Sequence, residues 1–547
     1  MSKLVELGGF TLDMGMVVRQ LKQDLRDDWY PDPLNYEDLL TPDISGGILE
    51  SSFENHHGQF VPEERLELNI PKRGFVLRYS LEMSPKDRLY YQALVGYLVP
   101  YYDPLLPNQI LNHRHAIGGN RAGRYLFKQP IEQWGHFQGY VREEAKARPV
   151  VLITDVQNYY ENISVEKILK VLESNVSQVK ADGAEKARIR RIIEELNRCL
   201  ANWCYTPAYG LPQNRDASSF LANLVMLPVD QAMLKRGYGY FRYMDDIRIT
   251  TGSRYEARAA LQDLTMELRK LGLNVNGQKT KIWEPKDDGY HEALGKNTPL
   301  LAQIDSMWRS KSLPVIRRSF KPLQTLAQQL IQNGETQERA FRFCMKRFEN
   351  LALCPELGVP KAFFDPLADL CIRQLDAQPF SSDQIVRFLK AVPTSNEQMK
   401  LVASLLADEK RAVYDWQKYL LWQLLVHKKY HDPNMLLTAK MRMESTTQEA
   451  DRAGAVHYLG AMGDQSDRQG IAKMFKNFNN HLVQRNALIA IHEVKYSEGI
   501  KQNVVKHVLP SLKGTYQRVR DGFMSQYYRP LPPISALNIY DEMSPYD

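Results

Sequence analysis

The chain has 547 residues, of which 44% are hydrophobic and 25% are charged, and its formal net charge is +7. This length exceeds what one hydrophobic core supports, so we expect several domains of ordinary globular composition. The longest apolar stretch, residues 94–98 with their neighbours, is too short to span a bilayer, and the N-terminus lacks a secretory signal. A cytoplasmic protein without membrane contact is therefore expected. The five cysteines lack the paired spacing of a zinc site and are expected in the core.

The first clearly patterned segment is residues 70–79, which predicts two short strands joined by a basic turn that contains Gly74. Ser84 followed by Pro85 predicts the N-cap and the first residue of a helix. That helix carries Leu89 and Leu94 toward a core.

A near-continuous apolar run at residues 149–155 predicts a strand that is covered on both faces and ends in Asp155. Helical patterns follow at 164–176 and 184–203. A loop with Gly210 and Pro212 then leads into a helix of small residues.

Residues 241–249 place two adjacent carboxylates, Asp245 and Asp246, between short β-prone runs, which predicts a tight hairpin with the acids at its bend. Converging carboxylates repel one another unless a hard cation neutralises them, and Mg²⁺ suits oxygen ligands. Together with Asp155 they predict a site for two Mg²⁺ ions and phosphoryl transfer. For the Asp-Asp pair alone, an exposed turn is the alternative.

After the hairpin, residues 255–271 predict an amphipathic helix and 272–282 a turn into a strand. The order strand–helix–strand–strand–helix–strand across 149–283 is typical of an antiparallel ferredoxin-like sheet. Residues 301–350 contain nine Lys or Arg against four acids. Three of them fall at helical spacing and predict a basic face that follows a nucleic-acid duplex: Arg339, Arg342 and Lys346.

Residues 380–513 are helical almost throughout, and the similar segments 452–456 and 485–489 predict a helical-repeat array. The tail from Tyr516 is aromatic and Pro-rich, with too little periodicity for a core element. We expect it to dock as an extended arm on a neighbouring subunit, which makes a homo-oligomer a candidate state.

The tetrapeptide at 243–246, with Asp155 upstream, resembles the palm of reverse transcriptases, and the arrangement of the chain is similar to bacterial defence-associated and abortive-infection (antiphage) reverse transcriptases. The resemblance covers roughly residues 65–350. It implies an α+β fold, a right-hand polymerase with fingers, ferredoxin-like palm and helical thumb, followed by an all-α, repeat-like domain. The expected boundaries are 1–148 for the N-terminal region and fingers, 149–290 for the palm, 291–375 for the basic helical thumb, 376–514 for the α-helical domain and 515–547 for the tail.

The resemblance also implies residue roles. Asp155, Asp245 and Asp246 are the expected catalytic residues and ligands of two Mg²⁺ ions. Tyr160, five residues after Asp155, excludes a 2′-hydroxyl, with Tyr159 as the alternative. The other expected contacts to the nucleotide are Lys72 and Arg78 on the triphosphate, with Arg88 as a further candidate, Gln213 on the sugar or base, and Lys279, or alternatively Lys281, near the leaving pyrophosphate.

Two features of the segment 210–224 relate to the same resemblance. Asn214 departs from the family pattern, because many relatives have glycine there, and this leaves the loop conformation open. The small side chains of Ser218 and Ala222 imply room for a template strand, although close helix packing explains them equally well.

The expected activity is RNA-directed DNA polymerisation with dNTPs, an RNA template or noncoding RNA, and a DNA product, in antiphage defence. Relatives of this type imply noncanonical templating or priming on a protein tyrosine, for which Tyr540 and Tyr546 are candidates. Two alternatives remain: a palm-type RNA-directed RNA polymerase, and a nucleic-acid-binding scaffold with a silent palm.

Overall fold

The structure is a computed structural model that describes residues 3–117, 125–295, 299–445, 448–494, 498–522, 524 and 526–539. The N-terminal region begins with an antiparallel hairpin whose last residue, Asp13, caps the first helix by accepting a hydrogen bond from the backbone N–H of Met16. Its elements are β1 (Leu4–Leu7), β2 (Phe10–Asp13), α1 (Met14–Asp24) and α2 (Pro42–Glu54).

The predicted strand pair and helix of the fingers are confirmed. The two strands pair antiparallel with Ile70 opposite Arg78. The Ser84 hydroxyl accepts a hydrogen bond from the backbone N–H of Asp87 at 3.2 Å and so caps the following helix. The elements of this region are β3 (Leu66–Pro71), β4 (Leu77–Glu82), α3 (Pro85–Tyr102) and α4 (Pro130–Glu144).

A four-stranded antiparallel sheet forms the centre of the palm, and its strand order β6-β7-β5-β8 is that of the predicted ferredoxin-like sheet. Leu152 in the central strand is fully buried, as the apolar run predicts. The strands are β5 (Val150–Asp155), β6 (Gly239–Tyr243), β7 (Asp246–Thr251) and β8 (Lys281–Trp283). The helices are α5 (Tyr159–Asn162), α6 (Val165–Asn175), α7 (Gly183–Trp203), α8 (Asp216–Val225), α9 (Leu227–Lys235) and α10 (Arg254–Lys270).

In the part of the chain that the structure describes, no single helix is long and apolar enough to cross a membrane. The pair α8 and α9 passes that test jointly, bent by 44°, by length and composition alone.

After the palm, the residues that the structure describes form helices and no strand. Alternate helices pack on one another in succession, α15 on α17, α17 on α19, α19 on α21 and α21 on α23, which gives the layered array that the repeats predict. The helices are α11 (Tyr290–Ala293), α12 (Pro299–Arg309), α13 (Leu313–Arg318), α14 (Phe320–Gln332), α15 (Arg339–Leu353), α16 (Lys361–Ala377), α17 (Ser382–Ala391), α18 (Asn396–Ala407), α19 (Asp415–His427), α20 (Pro433–Glu444), α21 (Glu449–Met462), α22 (Gln465–Met474), α23 (His481–Ala490), α24 (Glu498–His507) and α25 (Lys513–Arg520).

The similar segments 452–456 and 485–489 occupy the neighbouring helices α21 and α23 and are buried. Gly460 of α21 lies so close to Ala490 of α23 that a Cβ atom on it would stand 2.3 Å from the alanine Cβ. Helix α16 continues through the predicted boundary at 375/376, and one hydrophobic cluster reaches from Ile304 to Ile539. The thumb region and the array therefore share a core.

The tail packs on its own chain, so the expected arm on a neighbouring subunit is not what the described residues form. The carbonyl of Tyr527 lies 2.7 Å from Nε2 of His457, and the Arg529 backbone N–H donates to the Pro33 carbonyl at 2.8 Å. Hydrogen bonds within the chain thus fix the position of a segment that periodicity alone does not predict. Tyr540 and Tyr546 lie outside the described residues.

Candidate active site

The bend of the β6–β7 hairpin consists of Met244 and Asp245, with Asp246 as the first residue of β7. Met244 adopts a positive φ of 56°. A positive φ at the first position of a two-residue turn suits the twist of the strands, although it strains a residue other than glycine. The buried guanidinium of Arg242 donates a hydrogen bond to the Met244 carbonyl at 3.0 Å and stabilises this conformation from the core side of the hairpin.

Arg242 is itself held by buried polar groups. Its Nε and Nη2 donate to the two carboxylate oxygens of Asp230 at 2.8 and 2.6 Å, and its Nη1 donates to Asn223 Oδ1 at 2.8 Å. Sequence reasoning missed this network, because its members lie on three separate elements. The only signal was a charged residue on the core face of an apolar strand.

The three carboxylates predicted to converge do lie together. Asp155, the last residue of β5, pairs directly with Asp246 of β7, and the Val156 backbone N–H donates to the Asp245 carbonyl at 3.1 Å. All three therefore stand at the same end of the sheet, where β5 ends and the hairpin turns.

Burial and the mutual repulsion of the carboxylates raise pKa values in this cluster. Burial, followed by the neighbouring charges of Asp246 and Asp155, raises the pKa of Asp245 to about 7. Burial also raises the pKa of Asp246, against the opposing charges of Arg339 and Arg248. An excess of negative charge is thus held partly out of water.

Lys279 partly neutralises the cluster: its Nζ lies 2.5 Å from Asp155 Oδ2. Burial lowers the pKa of this lysine, but the hydrogen bond to Asp155 and the three carboxylate charges raise it above its usual value overall. The alternative candidate, Lys281, is exposed and lies 5.7 Å from the Trp283 ring centroid instead.

The donor chemistry of the cluster fits a divalent cation. Its ligands would be hard carboxylate oxygens, and Asp155 Oδ1 is buried without a hydrogen-bond partner among the described residues. Within the same ranges, no group of three or more His, Cys, Asp or Glu side chains is placed so that it could hold a metal ion. The cluster nevertheless offers negative charge and one unsatisfied carboxylate oxygen to a cation. The ammonium group of Lys279 neutralises part of that negative charge.

Two of the predicted triphosphate contacts reach toward this cluster from the fingers. Lys72 Nζ lies 3.8 Å from Glu161 Oε1, and burial, followed by the charge of Arg78, lowers the pKa of this lysine. The Arg78 guanidinium lies 5.4 Å from the Trp29 ring centroid and interacts with the charge of Asp245. Both cations thus face the side of the palm that carries the acids.

Arg88, the further triphosphate candidate, is a wrong prediction. Its side chain is buried, donates to Asp28 Oδ2 at 2.6 Å and also pairs with Glu82. Arg215 joins the same two carboxylates. Both terminal nitrogens of the guanidinium are held in a buried ion network, so the side chain is closed to a nucleotide.

The two adjacent tyrosines have different environments. Tyr159 is buried, and its hydroxyl donates to the Ala222 carbonyl at 2.6 Å, so it is a core residue. Tyr160 is partly exposed, interacts with the charge of Asp245, and shares a 2.7 Å hydrogen bond with the Ser219 hydroxyl. The geometry favours Tyr160 over the alternative.

The structure shows the conformation of the loop before α8, which the sequence left open at Asn214. Asn214 has a φ of 57°, in the left-handed region that glycine adopts and asparagine tolerates. Gln213 Nε2 lies 3.4 Å from Glu161 Oε1, on the same carboxylate as Lys72. Ser218 and Ala222 are fully buried, so they provide close helix packing and the expected room for a template is absent there.

The three basic residues of α15, predicted to form one face along a duplex, differ in exposure: Arg339 is exposed, Arg342 is partly exposed and Lys346 is buried. Lys346 is only 9% exposed and lies 3.2 Å from Glu349. Arg339 stacks on Trp134, 3.3 Å from the ring centroid, and its charge acts on Asp246, whereas Arg342 lies beside Arg78. Arg339 and Arg342 thus lie against residues of the fingers, and a contact of this helix face with a duplex stays a prediction.

Residues 81–315 match the protein family described as reverse transcriptase (RNA-dependent DNA polymerase). This range includes the three carboxylates, Tyr160, Gln213 and Lys279. The match supports RNA-directed DNA polymerase activity, and the fold is that of a reverse transcriptase-like polymerase with a helical C-terminal region.

Two telomerase structures are among the solved structures that resemble the chain. One is telomerase from Candida albicans in complex with a fragment of telomeric RNA, at 12% identity over 80% of this chain and 67% of that one, with a TM-score of 0.28. The other is apo telomerase from Candida tropicalis, at 10% identity over 88% and 74% of the two chains, also with a TM-score of 0.28. A comparison with curated proteins finds no match.

Proposed function

We propose that the reverse transcriptase domain of this chain extends DNA on an RNA template, with Asp155, Asp245 and Asp246 as its catalytic residues. The observation that carries this proposal is the meeting of three carboxylates, from strands about 90 residues apart, at one end of the palm sheet. That arrangement lies inside the matched residues 81–315.

The same three carboxylates would hold two Mg²⁺ ions, which when bound supply Lewis-acid activation and stabilise charge on phosphate oxygens. Lys72 and Arg78 would bind the triphosphate as a point charge and a bidentate fork. The Tyr160 ring would exclude a 2′-hydroxyl, and Gln213 would bind the sugar or base. Lys279 would donate a proton to the pyrophosphate that leaves.

The double substitution Asp245→Asn with Asp246→Asn tests the proposal. We expect dNTP incorporation on a primed RNA template to fall at least about 100-fold, because fixed negative charge is lost while shape is kept. Circular dichroism should be unchanged.

A second Asp-Asp pair provides a matched control. Asp287 and Asp288 follow β8, and Asp287 accepts a local hydrogen bond from the Glu284 backbone N–H at 2.8 Å. Asp287→Asn with Asp288→Asn should retain incorporation. Full activity in the 245/246 variant would refute the assignment.

The proposed biological role is antiphage defence in a bacterial cytoplasm, with an RNA template or a dedicated noncoding RNA as partner. The support is the layout of a palm followed by a helical array, which resembles defence-associated reverse transcriptases. Phage plating efficiency on cells that express wild type or the 245/246 variant tests the role. Equal protection by both proteins would contradict a role for DNA synthesis.

Protein priming on Tyr540 or Tyr546 is a further part of the proposal and rests on the aromatic tail. Peptide mass spectrometry after nuclease treatment should detect a nucleotide-modified tyrosine. Synthesis that persists in the Tyr540→Phe, Tyr546→Phe double variant would exclude these primers.

A further inference from the structure

Two arginines from distant parts of the chain share one cavity between the N-terminal region and the helical region after the palm. Arg78 of β4 and Arg342 of α15 both line this cavity. Aromatic rings of Trp29, Phe380 and Trp416 line the same space. Aromatic walls with a few polar groups are typical of the lining of a small-molecule site.

The positive charge in this cavity is not balanced. Among the described residues, neither Arg78 nor Arg342 forms an ion pair, and Arg78 Nε is buried without an acceptor. Asp383 is the one carboxylate among the residues that line the cavity, and its Oδ2 accepts a hydrogen bond from Gln384 at 3.2 Å. Two guanidinium groups thus face one carboxylate.

A charged residue that lines the cavity interacts with the cluster of three acids. After burial, the charge of Arg342 is the largest influence that lowers the pKa of Arg78, while Asp383 and then Asp245 oppose it. One turn before Arg342 on α15, Arg339 stacks on Trp134, whose ring centroid lies 5.0 Å from that of Tyr243, two residues before Asp245. Arg342 therefore lies near the place where a nucleotide bound at the three acids would extend its phosphates.

We propose that Arg342 binds the triphosphate of the incoming nucleotide together with Arg78, so that α15 contributes directly to the nucleotide site. Two half-buried guanidinium groups side by side repel each other, and a polyanion between them relieves this repulsion. The planar fork of each suits bidentate contact with phosphate oxygens. This inference rests on the proposed polymerase function and differs from a duplex contact for Arg342.

Steady-state kinetics on a primed RNA template provide the first test. We expect Arg342→Ala to raise KM for dNTP at least about tenfold, with kcat changed less than about threefold, because a binding contact is lost. The KM of Arg342→Lys should lie between those of wild type and Arg342→Ala, since lysine keeps the positive charge but lacks the planar guanidinium fork. Arg318→Ala, an exposed arginine of α13, should leave KM unchanged.

The affinity for primer–template, measured by fluorescence anisotropy, separates the two roles of Arg342. The inference requires that this affinity stay unchanged in Arg342→Ala. An unchanged KM for dNTP in Arg342→Ala, or weaker binding of primer–template by this variant, overturns the inference.

Calorimetry with inorganic tripolyphosphate keeps the inference testable if the wild type incorporates no nucleotide. Loss of tripolyphosphate binding in Arg342→Ala, but not in Arg318→Ala, would support the anion site while the proposed polymerase function failed. Equal binding by wild type and Arg342→Ala would overturn the anion site.

Discussion

Lys279 Nζ lies 2.5 Å from Asp155 Oδ2, so an ammonium group shares the site where three carboxylates meet. This contact neutralises one carboxylate and leaves Asp155 Oδ1 unsatisfied. A divalent cation bound by the same acids would compete with the lysine for Asp155.

We therefore expect Lys279→Met to bind Mg²⁺ more tightly in the absence of nucleotide, with a severalfold lower midpoint, because the competing ammonium is gone. The measurement is Tm as a function of Mg²⁺ concentration, since a ligand of the folded state stabilises it by mass action. Lys281→Met is the control, because Lys281 is exposed beside Trp283. An identical Mg²⁺ midpoint in all three proteins would contradict the competition.

The raised pKa of Asp245 predicts an unusual pH dependence of stability. This carboxyl titrates at about 7 in the folded protein and near 3.8 in the reference state. Between these values the folded chain keeps a proton that the unfolded chain has lost, so the free energy of unfolding decreases as pH rises from about 4 to about 7.

Asp245→Asn removes this titration. In EDTA, we expect the variant to be more stable than wild type by on the order of 4 kcal/mol at pH 8 and equally stable near pH 4. Urea unfolding at both pH values measures the difference. A stability difference that does not change with pH would show that Asp245 titrates normally.

The ring of Tyr160 is predicted to select the sugar. Tyr160→Ala should lower the preference for dNTP over rNTP, as a ratio of kcat/KM values, at least about tenfold. Tyr160→Phe keeps the ring and loses only the 2.7 Å hydrogen bond to Ser219, so its selectivity should stay near that of wild type. A wild type that prefers rNTP would favour the RNA polymerase alternative.

The parts of the fold that depend on local pattern were predictable from the sequence. The apolar run before Asp155 and the β-prone flanks of Asp245 and Asp246 gave the strands, and the order of elements gave the sheet. The antiparallel pairing then brings the acids together without further information, because strand order and strand ends determine which residues meet.

The features that failed depend on partners far along the chain. Arg88 is closed to a nucleotide by Asp28, 60 residues away, and no periodicity indicates that pairing. Lys346 has helical spacing with Arg339, but the packing of α15 decides that its side chain is buried. Spacing identifies which residues share a helix face, and the tertiary contacts decide what that face meets.

A buried ion cluster joins the N-terminal region to the helical array. Arg485 of α23 donates through Nε to Asp32 Oδ2 at 2.8 Å and through Nη2 to Asp38 Oδ1 at 2.6 Å. All three side chains are at most 2% exposed. Burial raises the pKa of Asp38, but Arg485 more than compensates and lowers it overall.

Arg485→Met should reduce the free energy of unfolding by about 3–5 kcal/mol, because it leaves two buried carboxylates without a counter-charge. Adding Asp32→Asn and Asp38→Asn to this variant should recover most of the loss, since the buried charge disappears with its partner. Arg529→Ala is the matched control: it breaks an exposed pair with Glu37 at 2.6 Å and should cost at most about 1 kcal/mol. Urea unfolding of the four proteins measures these differences. If Arg485→Met lost no more free energy of unfolding than Arg529→Ala, the packing of the N-terminal region on the helical array would not depend on this cluster.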